Sequence, residues 1–322
     1  SFFRSILRSA TWISIEGVFS RLILFIIQIK IINYLGPEKF GLLSISIVII
    51  SLLESVFDFG TTNTTINYLN KNKNKNQDLS NYLLFKVLSI ILIIALISLF
   101  TSLGNLNSLT LIFSLTIVPS IFNYVEVYFK SQNEFKPLTL SKIASTLLFI
   151  ILILFFINRK YSLEFIVIAY IAERILYFAT LTFCFSKLKF SFNINATKKL
   201  FLKSYPLGLS VVFFILSSRI DQLFINFMLS EKELGIFTSG MKLSDIFLFP
   251  VVILSSALYQ PLLKLKLNSF QYVVKVIIVV SILYSVFIIG VFHFFSDSFI
   301  NYFFDEEFHE LKSFINLYVF SL

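Results

Sequence analysis

One cysteine, Cys184, stands in 322 residues. That excludes an intramolecular disulfide and any cysteine-rich metal site, and its apolar neighbours read it as an inert membrane thiol. Histidine is nearly as scarce. His293 and His309 have no ligand-spaced partners and read as interfacial residues rather than metal ligands. Charged residues make up 14% of the chain, against about 25% in soluble domains. No GxxxxGK[ST] stretch occurs, so the sequence offers no nucleotide site with which to burn ATP. Asp58-Phe59-Gly60 lacks the catalytic and glycine-rich loops that would make it a kinase motif. No large polar loop is present to carry catalytic acids or bases, so the chain does not read as an enzyme.

What is there in excess is apolar side chain. Hydrophobic residues reach 57%, with 41 phenylalanines, and mean hydropathy is +0.86. The excess recurs along the whole chain, and a water-soluble fold could not cover it with so few polar groups. About 20 residues cross the hydrocarbon as a helix. Spans are expected at 10–34, 40–66, 81–103, 108–129, 138–158, 163–186, 204–229, 235–260 and 272–296, with a tenth starting near 308. The connectors include Gly36-Pro37-Glu38, the Asn/Lys run 70–76, the polar stretch 131–136 and a long basic segment at 187–203. The chain opens at Ser1 and stops inside an apolar run, so it reads as part of something longer, with no cleavable signal peptide.

The net charge of +9 has no solvated basic domain behind it, so nucleic acid is not an expected partner; membrane lipid is. Lys and Arg concentrate instead in alternate loops, about sixteen on one side against about five on the other. The amino terminus is therefore expected in the cytoplasm. Arg159-Lys160 is the one local violation, and the acidic stretch of Asp305, Glu306, Glu307 and Glu310 is expected outside.

A weak internal repeat is visible. Residues 33–44 read NYLGPEKFGLLS and residues 226–239 read NFMLSEKELGIFTS, each after a helix with a central Ser-Arg, Ser20-Arg21 or Ser218-Arg219. Duplicated transporter folds leave this kind of trace. Two halves follow: 1–190 with helices 1–6, and 191–322 with helices 7–9 and the start of a tenth. The second half would lack its last two or three spans.

Charges at bilayer depth cost roughly 2.5–3.5 kcal/mol each and persist where they face a cavity or a partner. Glu16, Arg21, Lys30, Glu54, Asp58, Glu126, Glu173, Arg174, Arg219, Asp221, Lys242 and Asp245 fall within the expected spans. Helices 1, 2, 7 and 8 hold most of them. Arg21 and Arg219 sit too deep to snorkel, whereas Lys30 lies near an outer end. Two readings stand: a polar pathway for substrate or ion, and structural pairing such as Lys242 with Asp245. On the first reading Arg21, Arg219 and Lys242 bind an anionic substrate, and Glu54, Asp58 and Asp221 carry a coupling proton or sodium ion or balance the arginines.

Several of these stretches resemble a known family. Arg8-Ser9-Ala10 with Gly17, Tyr34-Leu35-Gly36-Pro37-Glu38-Lys39-Phe40-Gly41, Asp58-Phe59-Gly60 and Tyr205-Pro206-Leu207-Gly208 look like the polysaccharide-exporter branch of the multidrug/oligosaccharidyl-lipid/polysaccharide flippase superfamily. The O-antigen flippases called Wzx are the nearest resemblance. It implies an all-α polytopic membrane protein, with two pseudo-symmetric six-helix lobes around a central cavity. It implies transfer of an undecaprenyl-diphosphate-linked oligosaccharide across a bacterial inner membrane by ion-driven alternating access, without a cofactor. A polysaccharide polymerase and a chain-length regulator are the partners it implies. Family members often carry a basic residue shortly after the second-helix Asp-x-Gly; here the stretch is Asn67-Tyr68-Leu69-Asn70, and the first cation is Lys71. A drug or metabolite exporter and a lipid II flippase of the same superfamily are the competing readings.

Overall fold

The computed structural model describes residues 2–71, 75–104, 108–185, 191–244, 247, 267–313 and 315. Side chains are described there except at 2–16, 18–21, 71 and 267–270. The described residues form helices and no strands. Helix α1 is Phe2–Asp58, α2 Thr61–Lys71, α3 Lys75–Ser102 and α4 Ser108–Ser114; a 3-10 segment, Leu115–Phe122, leads into α5, Asn123–Ser131. Then come α6 Phe135–Asn158, α7 Leu163–Phe183, α8 Ile194–Met228, α9 at 231–244, α10 Leu267–Phe303 and a closing 3-10 turn, Glu306–Ser313. Seven described helices are long and apolar enough to cross a membrane, counting Leu22–Asp58 and Ser108–Ser131 as one each.

The differences from expectation have local causes. The first two expected spans form one long element broken at Gly36 (φ 70, ψ 171). Pro37 restarts the helix, since its missing N–H would be unsatisfied in a first turn anyway. The expected 40–66 span ends at Asp58, because Phe59 (φ 43) and Gly60 (φ 71) turn the chain before α2. A Cβ on Gly60 would press on the Gly208 backbone nitrogen of α8, so this turn and α8 pack backbone to backbone. Helix α8 begins ten residues early, at Ile194, because the Asn193 side chain accepts from Ala196 N at 3.2 Å and caps it. Lys198, Lys199 and Lys203, expected in a connector, therefore ride on a helix. The expected tenth span opens as the 3-10 turn Glu306–Ser313. Most of the expected 235–260 span, with Asp245, lies outside the described residues.

Contacts gather the chain into two compact units. One joins Ser1–Glu16 with Leu42–Ser230; the other joins Gly17–Gly41 with Glu231–Leu322. This grouping follows packing, whereas the division at 190 follows sequence order. In the first unit, Leu69, Leu79, Tyr82, Val125, Val127, Leu181 and Leu200 share one buried cluster. In the second, Ile31, Ile32, Phe308 and Leu311 are buried. The Asn33 amide there donates to Phe303 O at 2.9 Å, tying α1 to the end of α10.

Candidate functional site

Glu54 and Asp58 lie one turn apart on the last two turns of α1, so they share a face. Nothing on that face of α1 neutralises them; their partners come from other helices. Lys86 of α3 reaches Asp58 Oδ1 at 2.7 Å. Arg174 of α7 forks onto Glu54, with Nη1 donating to Oε1 and Nη2 to Oε2 at 3.2 Å. The neighbouring Glu173 turns to a different helix, where Lys142 of α6 meets it at 2.6 Å. All six line one cavity of about 540 Å³, together with Glu126, Asn123 and Tyr177.

Proline shapes part of this cavity. Residues 115–122 are a 3-10 segment, so the carbonyl of Thr116 would normally accept from residue 119. That residue is Pro119, which has no N–H to give. The freed carbonyl is taken by Arg174 Nη1 at 3.0 Å. One guanidinium thus joins Glu54 of α1 to the broken helix between α4 and α5, and each contact restricts its rotation.

Asp58 is held by a chain of hydroxyls. A carboxylate can only accept, so Thr62 Oγ1 donates to Oδ1 at 2.7 Å. The single threonine proton is then spent, and Tyr82 must be the donor in its 2.9 Å bond with Thr62. Asn123 Nδ2 donates in turn to the Tyr82 oxygen at 3.0 Å. Every donor in this chain points toward Asp58, and Tyr82 is completely buried. The fourth acid, Glu126, pairs with Lys130 on its own helix at 2.5 Å and accepts from Tyr177 Oη at 3.2 Å. Counting Lys130, four acids meet four bases.

The residues expected to act are placed as follows. Glu54 and Asp58 are in the cavity lining. Arg219 and Asp221 are half-exposed on α8 and are not part of that lining, which α8 supplies through Val211 and Ile215. Asp221 Oδ1 accepts from the backbone of Gln222 at 2.8 Å. Lys242 is half-buried on α9 in the other unit. Arg21 is in α1, with its side chain outside the described residues. Lys86 and Lys142 were the missed members. Neither is among the bilayer-depth charges expected from the sequence, yet each closes an ion pair with an acid on another helix.

Comparison with known proteins gives a family and a fold. A family model described as polysaccharide biosynthesis protein matches residues 6–259. No curated protein matches in sequence. Among solved structures, an inward-facing multidrug resistance MATE family transporter of the MOP superfamily superposes with a TM-score of 0.68 at 16% identity, covering 93% of this chain and 76% of that one. A MOP superfamily transporter from Pyrococcus furiosus, described as having reversed polarity in its binding pocket, gives 0.65 at 15% identity, covering 97% and 78%. An outward-facing MATE family transporter gives 0.60 at 15% identity, covering 98% and 80%. These likenesses establish a shared all-α fold.

Proposed function

The chain belongs to the polysaccharide biosynthesis protein family, and on that premise we propose that it is a flippase for a lipid-linked oligosaccharide. The cargo would be an undecaprenyl-diphosphate-linked repeat unit moved from the cytoplasmic to the periplasmic leaflet of a bacterial inner membrane. The observation that carries the reading is the charged cavity of about 540 Å³ lined by otherwise apolar helices. A cavity rich in paired charges, hydroxyls and amides suits a polar headgroup that must cross hydrocarbon. On this reading Glu54, Asp58 and Asp221 carry the coupling proton or sodium ion, and Arg21, Arg219 and Lys242 are cargo contacts. A polymerase and a chain-length regulator would receive the product.

A cation-coupled drug or metabolite exporter is the second reading. The observation favouring it is that the lining holds four carboxylates, Glu54, Asp58, Glu126 and Glu173, against three cations. Deleting the gene from its own organism separates the two. The flippase reading expects loss of surface polysaccharide and build-up of lipid-linked oligosaccharide on the inner leaflet. Unchanged surface polymer, with new sensitivity to cationic drugs, would transfer the assignment to the exporter.

Orientation is tested on the intact membrane. In a Cys184-free background, single cysteines at Asn105, Lys232 and Asp305 should react with an impermeant maleimide from outside. Cysteines at Asn74 and Asn193 should react only after permeabilisation. Reversal at two of these sites would place the amino terminus outside.

A further inference from the structure

We infer that Arg174 is the anion receptor of the cavity, and that it binds a phosphate or a sugar carboxylate through the edge of its guanidinium that Glu54 leaves open. The inference rests on the flippase reading only for what molecule carries the anion.

A guanidinium has five N–H donors and two edges that can each hold two oxygens. Glu54 occupies the end-on edge, taking one donor from Nη1 and one from Nη2. Thr116 O takes the second Nη1 donor at 3.0 Å. Among the described residues, Nε–H and the second Nη2 proton have no partner. Those two form the side-on edge, which is the other bidentate face.

The side chain is 35% exposed and the residue lines the cavity, so that edge is reachable. Lys86 is less available: it is 11% exposed and committed to an Asp58 that the Thr62–Tyr82–Asn123 chain already holds. Lys142 is as exposed as Arg174, at 34%, but its ammonium offers no planar fork. Glu54 and the carbonyl freed by Pro119 together keep the guanidinium in one orientation before any cargo arrives. A group that is already ordered loses less entropy on binding. Glu54 also supplies a negative charge beside the site, so it orients the receptor and weakens its hold. That combination suits a carrier that must release its cargo.

The test is direct binding to the purified full-length protein in lipid nanodiscs, by calorimetry, with inorganic pyrophosphate and glucuronate as separate probes. Wild type should bind at least one of them. Arg174→Gln should weaken binding by about tenfold or more, and Arg174→Lys by less, because charge remains while the fork is lost. Glu54→Gln should tighten binding several-fold by removing the nearby negative charge. The double variant Arg174→Gln/Glu54→Gln leaves no unpaired charge. It should fold even if Arg174→Gln alone does not, and it should still fail to bind. Tighter pyrophosphate than glucuronate binding assigns the site to a phosphate; the reverse assigns it to an acidic sugar.

The inference is overturned if wild type binds neither anion. It is equally overturned if the double variant binds as wild type does, or if Glu54→Gln weakens binding as much as Arg174→Gln. Loss of surface polymer in the deletion strain alongside any of these results would leave the flippase reading standing without this receptor.

Discussion

Alanine at Gly235 should cost more than about 3 kcal/mol of stability, and leucine there should leave no folded protein in the membrane. A Cβ on Gly235 would overlap the carbonyl oxygen of Pro37, and a Cβ on Gly41 would overlap the carbonyl oxygen of Glu231. Neither obstacle is a flexible side chain that could swing aside; both are backbone. Two backbones approach this closely only where the residues at the crossing carry no Cβ. Thermal unfolding of the solubilised protein and its level in the membrane fraction report the loss. Gly290→Leu is the control, since nothing lies within 4 Å of a Cβ there. Because Gly41→Ala and Gly235→Ala both open the same crossing, the pair should cost clearly less than the sum of the singles. Wild-type melting of either alanine variant would contradict the crossing.

The same contact carries information about the repeat. Gly41 meets Glu231 while Gly235 meets Pro37, so the two contacts exchange under one shift of 194 residues. Only a local two-fold relation between the segments around 37–41 and 231–235 produces that reciprocity. Their likeness was legible from Glu-Lys, matched at a shift of 193, and from the glycine, matched at 194. The arginines do not follow the same register: Arg21 to Arg219 is a shift of 198, one helical turn out. At 194 the counterpart of Arg219 is Phe25 and that of Arg21 is Ile215, which lines the cavity of the first unit. A central Ser-Arg in each helix was therefore a true composition match but not an equivalent position.

Apolar runs by themselves predict most of the helices, because lipid forces backbone hydrogen bonds to be made within a helix. Breaks were less visible. The turn at Phe59-Gly60 falls where the sequence turns polar, at Asp58 to Thr65, yet the expected span ran through it to 66; the 3-10 segment at Leu115–Phe122 is announced only by Pro119. For the site, the acids were legible as misfits in apolar stretches, and Glu54 and Asp58 as sharing a face. Their partners were not. Residue spacing tells which side chains share a face of one helix, but not which neighbouring helix that face meets. Lys86 and Lys142 sit 28 and 31 residues from the acids they pair with, and Arg174 sits 120 residues from Glu54. Only packing reveals those distances as contacts.

Lys86→Met should destabilise the first unit by about 2–3 kcal/mol, because it leaves the part-buried Asp58 carboxylate, 20% exposed, without its cation. The hydroxyl chain makes this loss hard to relax. Asp58 still accepts from Thr62, so the carboxylate cannot swing toward water without leaving the Thr62 proton short of its acceptor. Asp58→Leu alone should be comparably harmful for the mirror-image reason, an ammonium only 11% exposed with no acid to meet. Removing both charges is a different experiment. Lys86→Met/Asp58→Leu exchanges an ion pair for apolar contact, which is often near neutral or better. The double variant should recover most of the stability that either single variant loses, with a coupling energy of about 2 kcal/mol or more in the cycle. Tyr82→Phe should fall between, at about 1–2 kcal/mol, since it leaves Thr62 and the Asn123 amide each short of a partner. Thermal unfolding of wild type and the four variants in one detergent checks all of this. If the double variant loses the full sum of the two single variants, the pair does not hold α1 to α3 as the 2.7 Å contact indicates.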